Sequence, residues 1–281
     1  EKLRNSTDMN RVSWTPRLER KWKDTIIKEL KARKVEILVN YLPVGSQKTT
    51  EFWAEICLET GISFVNCIPV FIASDPVWEQ RFIDAGIPIV GDDMRSQFGA
   101  SIVSQMLQEL AFERGHHVKA HIQRNVGGNT DFLNMEDKNR LASKKISKEN
   151  VIRAQNEIRG IATDDSFLHA GPSEYIHFYG DNKVANFRLE LEGFGGSPVL
   201  FDAQLSVQDS PNSGGVVIDA IRYLKVAREL GVVGALRGPS AFTQKTPPEQ
   251  MMFSDAIYEC TELANRRLTK STSSQMNKVK A

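Results

Sequence analysis

Residues 35–93 read VEILVNYLPVGSQKTTEFWAEICLETGISFVNCIPVFIASDPVWEQRFIDAGIPIVGDD, and this stretch decides the fold. Residues 35–42 are apolar and rich in branched side chains, as a buried strand is, and 43–46 form a turn. Residues 49–60 have helical periodicity, and Gly61 predicts a left-handed cap behind them. Residues 62–70 are a second apolar strand. Asp75 before Pro76 predicts an N-cap with proline at the first helical position, opening a helix that runs to Gly86. Residues 87–93 give a third short strand. Strand, helix, strand, helix, strand implies a parallel sheet with right-handed crossovers, with residues 35–40, 63–67 and 88–90 adjacent and parallel.

Ligands of such sheets bind beyond the carboxyl ends of the strands, where 43–46, 66–74 and 91–96 are the loops. No GxGxxG follows a strand in this chain. The GFGG at 193–196 lacks the spacing, so the dinucleotide fingerprint is absent or lies ahead of Glu1.

Working outward, 1–34 is polar and charged, with an amphipathic helix expected over 18–32. Past the third strand, Gly91-Asp92-Asp93-Met94-Arg95-Ser96 leads into a helix expected over 97–114. Asp92 reads equally as a helix cap. Ser96, Gln97 and Gly99 fall at that helix start, where free N–H groups favour a phosphate. Residues 119–125 are a strand that feeds NVGGNTDFLNMEDKNRLASKKISK, residues 125–148. Gly127 and Gly128 are expected to make a turn closed to other residues. Asn129 and Asp131 then sit where backbone can approach a ligand, and a helix runs to about Leu141. Lys144 and Lys148, four apart, would share one helical face and attract an anion. The plain alternative is a solvated basic turn.

Helical character resumes to about Arg159. Strands over 175–192 are broken at Gly180-Asp181-Asn182-Lys183. Residues 200–215 read as an alternating strand that ends in a Ser/Asn/Gly loop holding Asp209 and Ser210. Residues 216–230 are an amphipathic helix closed by Gly231. Lys245 precedes Pro247-Pro248, another helix starts at Met251, and the tail from Thr269 reads as polar and disordered.

The chain has 281 residues, with 36 Lys plus Arg against 35 Asp plus Glu, a net charge of +1. That balance gives no global attraction to nucleic acid or to a membrane surface. No apolar run is long enough for a bilayer, and no signal peptide is visible. The three cysteines, Cys57, Cys67 and Cys260, show no CxxC or zinc spacing, and a reducing, cytoplasmic setting is expected. Five histidines show no ligand spacing.

Taken in order, NYLPVGS, FVNCIPVFIASDP, GDDMRSQFGA, NVGGNTDFLNM, SKKISK, GDNKVA, DSPNSGGVVIDA and KTPPEQ resemble the myo-inositol-1-phosphate synthase family, in its shorter bacterial and archaeal form. The resemblance covers about residues 35–250. It implies an α/β chain: a Rossmann-like parallel sheet, incomplete at its N-terminal half, with an inserted α+β catalytic and tetramerisation domain. The divisions implied are 1–95 for the Rossmann part, 96–236 for the insert, and 237–281 for a segment that returns to the Rossmann part. The implied activity is an isomerase of inositol and phospholipid biosynthesis that turns glucose 6-phosphate into 1L-myo-inositol 1-phosphate. NAD is the implied cofactor, oxidising C5 and being reoxidised within one cycle, with a divalent metal or monovalent cation as a further possibility.

The resemblance names Lys144, Lys148, Lys183, Lys245 and Asp93 as catalytic. Asn40, Leu42, Pro43, Cys67, Asp93, Ser96, Asn129, Asp131, Gly180, Asp181, Asp209 and Ser210 would hold NAD. Ser96, Gln97, Gly99 and Lys148 would hold the substrate phosphate. A homotetramer is implied. Arg95 stands where the family usually has lysine, and Lys145 where its eukaryotic members have glutamate. The competing readings are a non-catalytic member of the family without autonomous NAD binding, and another NAD-dependent sugar-phosphate dehydrogenase.

Overall fold

The structure, a computed structural model, describes residues 16–134, 153, 156–160 and 168–279. Residues 1–36 and 37–281 are two compact units. The first contributes helix α1 (Pro16–Ala32), which spans the stretch expected to be helical over 18–32 and starts two residues earlier.

The second unit opens with the βαβαβ stretch. Strands β1 (Ile37–Asn40), β2 (Ser63–Asn66) and β3 (Pro88–Val90) pair in parallel, β1 with β2 and β2 with β3, as the sequence requires. Helix α2 (Gln47–Thr60) ends on Gly61 at φ 71°, the left-handed cap. Helix α3 (Pro76–Asp84) starts at Asp75, whose carboxylate accepts the N–H groups of Val77 and Trp78. A fourth parallel strand, β8 (Gly234–Ala235), pairs with β3 and completes the order β1-β2-β3-β8.

Side chains alternate across these strands. Val65 and Val90 pack with Val216, Val217, Ala220, Leu224 and Ala227 of helix α6 (Asp209–Leu230), with Ile37 and Val39 against the same cluster. The small residues Ala220 and Ala227 let α6 lie close to the sheet. Leu38, Phe64 and Ile89 alternate to the opposite face. Helices α7 (Arg237–Thr243) and α8 (Phe253–Val279) follow, with the rings of Phe242 and Phe253 5.9 Å apart. The segment read as a disordered tail is helical to Val279. A helix already nucleated propagates through polar residues when no Gly or Pro interrupts it.

Between β3 and α6 stands a second sheet in the order β5-β4-β6-β7, built from β4 (His117–Gly127), β5 (Leu168–Tyr175), β6 (Asn182–Glu192) and β7 (Pro198–Gln208). β5 runs parallel to β4, while β6 is antiparallel to both β4 and β7. Helix α4 (Ala100–Glu113) covers one face through Ala100, Val103 and Leu107, against Ala185, Phe187 and Leu189 of β6. The other face carries Asn186, Arg188, Asp202 and Gln204, tied by cross-strand bonds. Along β6 and its neighbour β7 the sheet therefore has one apolar and one polar face.

Three local expectations change. Gly127 ends a strand and Gly128 has no positive φ, so neither makes a left-handed turn. What they permit is close approach. A Cβ on Gly127 would meet the Phe132 ring, and one on Gly128 would run into Ile176 O and Gly180 N. The SPNSGG run after Gln208 is the opening of α6, not a loop, because the side chain of Asp181 supplies acceptors for its first turn. Helix α4 begins at Ala100, so Ser96, Gln97 and Gly99 precede it, Gly99 as its N-cap.

Candidate active site

A cavity of about 370 Å³ lies beyond the carboxyl ends of β1, β2 and β3, the place the topology assigns to a ligand. Two backbone features bring its charged residues together. Residues 92–95 run beside 243–246 as a short antiparallel ladder. Asp92 and Thr246 exchange both bonds, Lys245 N donates to Asp93 O, Arg95 N donates to Thr243 O, and Met94 bridges Gln244. Side by side on this ladder, Lys245 Nζ and Asp93 Oδ1 lie 2.8 Å apart. Asp93 holds a left-handed φ of 60°, a conformation Asp tolerates better than most residues. Fully buried Arg95 tightens the ladder from below, its Nε donating to Gln244 O at 2.6 Å. Burial lowers the Arg95 guanidinium to about 10, countered by Glu109 and Asp93.

The second feature is the meeting of β6, α5 (Thr130–Asn134) and the start of α6. Lys183 Nζ donates to Asp209 Oδ1 at 3.0 Å. Asn129 accepts the N–H groups of Asp131 and Phe132 through Oδ1, capping α5. Its Nδ2 donates to Asp181 Oδ1 and Asp209 Oδ2. Burial pushes the Asp209 carboxyl up, but Lys183, Asn129 and Lys245 outweigh it and hold the group below the usual carboxylate range. Each of these two lysines thus faces a carboxylate, so the repulsion between ammonium groups is already countered.

Of the residues singled out in the sequence, Leu42, Pro43, Cys67, Asp93, Ser96, Asn129, Asp131, Lys183, Asp209, Ser210 and Lys245 line the cavity together. Lys144 and Lys148 lie outside the described residues. Asn40, Gln97, Gly99, Gly180 and Asp181 do not line it. Asn40 sits behind the wall, its Oδ1 accepting Leu42 N and its Nδ2 donating to Asn66. Asp181 supports Ser210 and Asn129 from outside. Gln97 N donates to Asn212 O, and Gly180 closes a short turn after Tyr179. Burial pushes the Cys67 thiol up, with Asp93 adding to the effect, so this wall residue is no thiolate.

The sequence reading missed Gln123, Asn125, Tyr41, Met94 and Ser213, which also line the cavity. The signal for Gln123 and Asn125 was present: polar residues at alternate positions of a strand, on the face that should point inward. Asp92 is neither a helix cap nor a lining residue. Its buried carboxylate accepts Asn66 Nδ2, the N–H groups of Ile72, Ala73 and Ser74, and Ser74 Oγ, so it folds the 66–74 loop around the strand ends. Burial raises it to about 6 while those donors pull the other way. Among the described residues, no cluster of His, Cys, Asp and Glu has the form of a metal site, and no helix is long and apolar enough to cross a membrane.

Comparison with known proteins relates the chain to a family. The family model for myo-inositol-1-phosphate synthase matches residues 99–210. The inositol-3-phosphate synthase of Mycobacterium tuberculosis is 47% identical over 226 residues, covering 80% of this chain and 61% of that enzyme. The enzyme of that name from Corynebacterium glutamicum is 45% identical over 228 residues, covering 80% and 63%. The chain thus spans about three fifths of the length of these relatives. The crystal structure of a myo-inositol-1-phosphate synthase-related protein from Thermotoga maritima superposes with a TM-score of 0.74 at 25% identity, covering 88% of this chain and 70% of that one. With a parallel sheet ending at a lysine–carboxylate cavity, and with that breadth of sequence identity, the chain belongs to the myo-inositol-1-phosphate synthase family.

Proposed function

We propose that the protein converts glucose 6-phosphate to 1L-myo-inositol 1-phosphate with NAD. The observation that carries this reading is the convergence of Asp93–Lys245 and Lys183–Asp209 on one cavity. The residues fit the nicotinamide half of NAD. Leu42, Pro43 and Cys67 offer an apolar wall, and Asn129, Asp131 and Ser210 offer amide, carboxylate and hydroxyl groups beside it. When bound, NAD would supply a reversible hydride acceptor for C5.

Lys245, once its ammonium has passed a proton to Asp93, takes the C5 hydroxyl proton, and both transfers reverse on re-reduction. Lys183, held by Asp209, meets the sugar oxygens, where its fixed charge stabilises the oxyanion that develops as the ring closes. Lys144 shares that task, and Lys148 holds the phosphate with Ser96 and the N-terminus of α4, near which Ala100 and Ser101 line the cavity. Three buried, unpaired cysteines agree with a cytoplasmic location.

The test is product formation by the full-length protein with glucose 6-phosphate and NAD. Inositol phosphate should form with no net NADH. Lys245→Ala should lower kcat by about 10³-fold or more while the melting temperature stays within a few degrees. Normal turnover in Lys245→Ala overturns the assigned roles, and net NADH release by the parent favours a sugar-phosphate dehydrogenase instead.

A further inference from the structure

Behind the cavity, a row of buried polar side chains leads away from its floor. Gln123 and Asn125 line the cavity, and Gln123 Nε2 donates to Asn125 Oδ1 at 3.0 Å. Ser104 Oγ on α4 lies 2.7 Å from Gln123 Oε1 and 3.1 Å from His121 Nε2. His121 Nδ1 lies 2.8 Å from Gln108, whose amide meets Asn156 at 2.9 Å. Ser104, Gln108, His121, Gln123 and Asn125 are all within 2% of full burial. Their neighbours across the sheet are Ala185, Phe187 and Leu189, so apolar residues would fill these positions at lower cost.

The row has a direction. The Ser104 hydroxyl carries one proton. If it donates to Gln123, its oxygen is left to accept from His121 Nε2–H, and the Gln108 amide, whose Oε1 faces His121 Nδ1, must turn over. If it donates to His121, the Gln123 amide must turn over, and Asn125 with it. Burial lowers His121 to about 4, so near neutral pH the ring is uncharged, with one donor nitrogen and one acceptor. Ring tautomer and amide orientations are therefore set together, as one network.

We propose that Ser104 and His121 are positioning residues for the reaction: they fix which amide atoms Gln123 and Asn125 turn toward the sugar hydroxyls. Neither Ser104 nor His121 lines the cavity, so they act through Gln123. The proposal rests on the reading of the cavity as a sugar-phosphate site. Without Ser104, the Gln123 amide loses its only link to His121 in this row, and the floor presents a mixed pattern of donor and acceptor.

Steady-state kinetics of the full-length protein with glucose 6-phosphate at saturating NAD test it. Ser104→Ala should raise KM about tenfold, the equivalent of one misplaced hydrogen bond, with kcat changed less than about threefold. Ser104→Thr, which keeps a hydroxyl, should restore KM. A merely structural Ser104 would lower the melting temperature and leave KM alone. Should Ser104→Ala fail to fold, His121→Asn removes the Nε2 contact by another route, and the same rise in KM is expected. Parental KM in either folded variant overturns the proposal. A parent with no turnover overturns the cyclase reading instead, and calorimetric binding of glucose 6-phosphate then decides the network: about tenfold weaker in Ser104→Ala supports it, equal affinity overturns it. A parent that neither turns over nor binds glucose 6-phosphate overturns both.

Discussion

Asp92 and Asp93 are neighbours with opposite tasks. Asp93 turns its carboxylate to Lys245 at the cavity, while Asp92 turns inward to five donors. Nothing in the dipeptide itself assigns these roles. The left-handed φ of Asp93 and the ladder to 243–246 do. Asp92→Asn is a sharp probe of the inward role. An amide nitrogen in place of one oxygen would face donors with a donor, leaving at least two buried N–H groups without an acceptor. The expected loss is about 2–4 kcal/mol of stability. Urea denaturation measures it, and a loss below about 0.5 kcal/mol would show that the loop is held otherwise.

At the scale of elements, strands and caps were legible because their signals are local. Gly61 and Asp75-Pro76 cap their helices where the sequence put them, and the three apolar runs are the three parallel strands. Gly127-Gly128 was read for the wrong reason. The pair serves close packing of β4 against Phe132 and against residues 176–180, contacts that no local pattern contains. The start of α6 was misread likewise, since its cap comes from Asp181, 28 residues ahead of Asp209 by number. Gly128→Ala tests the packing reading. The added methyl meets backbone atoms, which cannot swing aside, so folding should weaken by about 3 kcal/mol or more, as for other overpacked sites. A melting temperature within two degrees of the parent would contradict it.

For the whole molecule, the second sheet leaves a question of assembly. β7 is an edge strand of 11 residues, and its Val199, Leu200 and Phe201 are more than a third exposed. A long edge with apolar residues invites pairing with another chain. We propose a homotetramer, the number four following from the family resemblance and the edge from the structure. Light scattering on the full-length protein should give a four-subunit mass, and Phe201→Asp should shift it to smaller species. A stable, active monomer would count against the assembly.

The sequence by itself determined the parallel sheet, its capped helices and the family. Period, cap residues and turn residues act over a few positions, and the family motifs are contiguous. It named Lys183, Lys245, Asp93, Asn129 and Asp209 as site residues, and these share one cavity. Only the tertiary structure decided which charge faces which: Asp93 and Lys245 are 152 residues apart, Lys183 and Asp209 are 26 apart. It alone set Gln123 and Asn125 in the floor with Ser104 and His121 behind them. Such pairings depend on sheet register and on where one helix crosses one strand, and those are fixed when distant segments pack together, not by the residues on either side of each position.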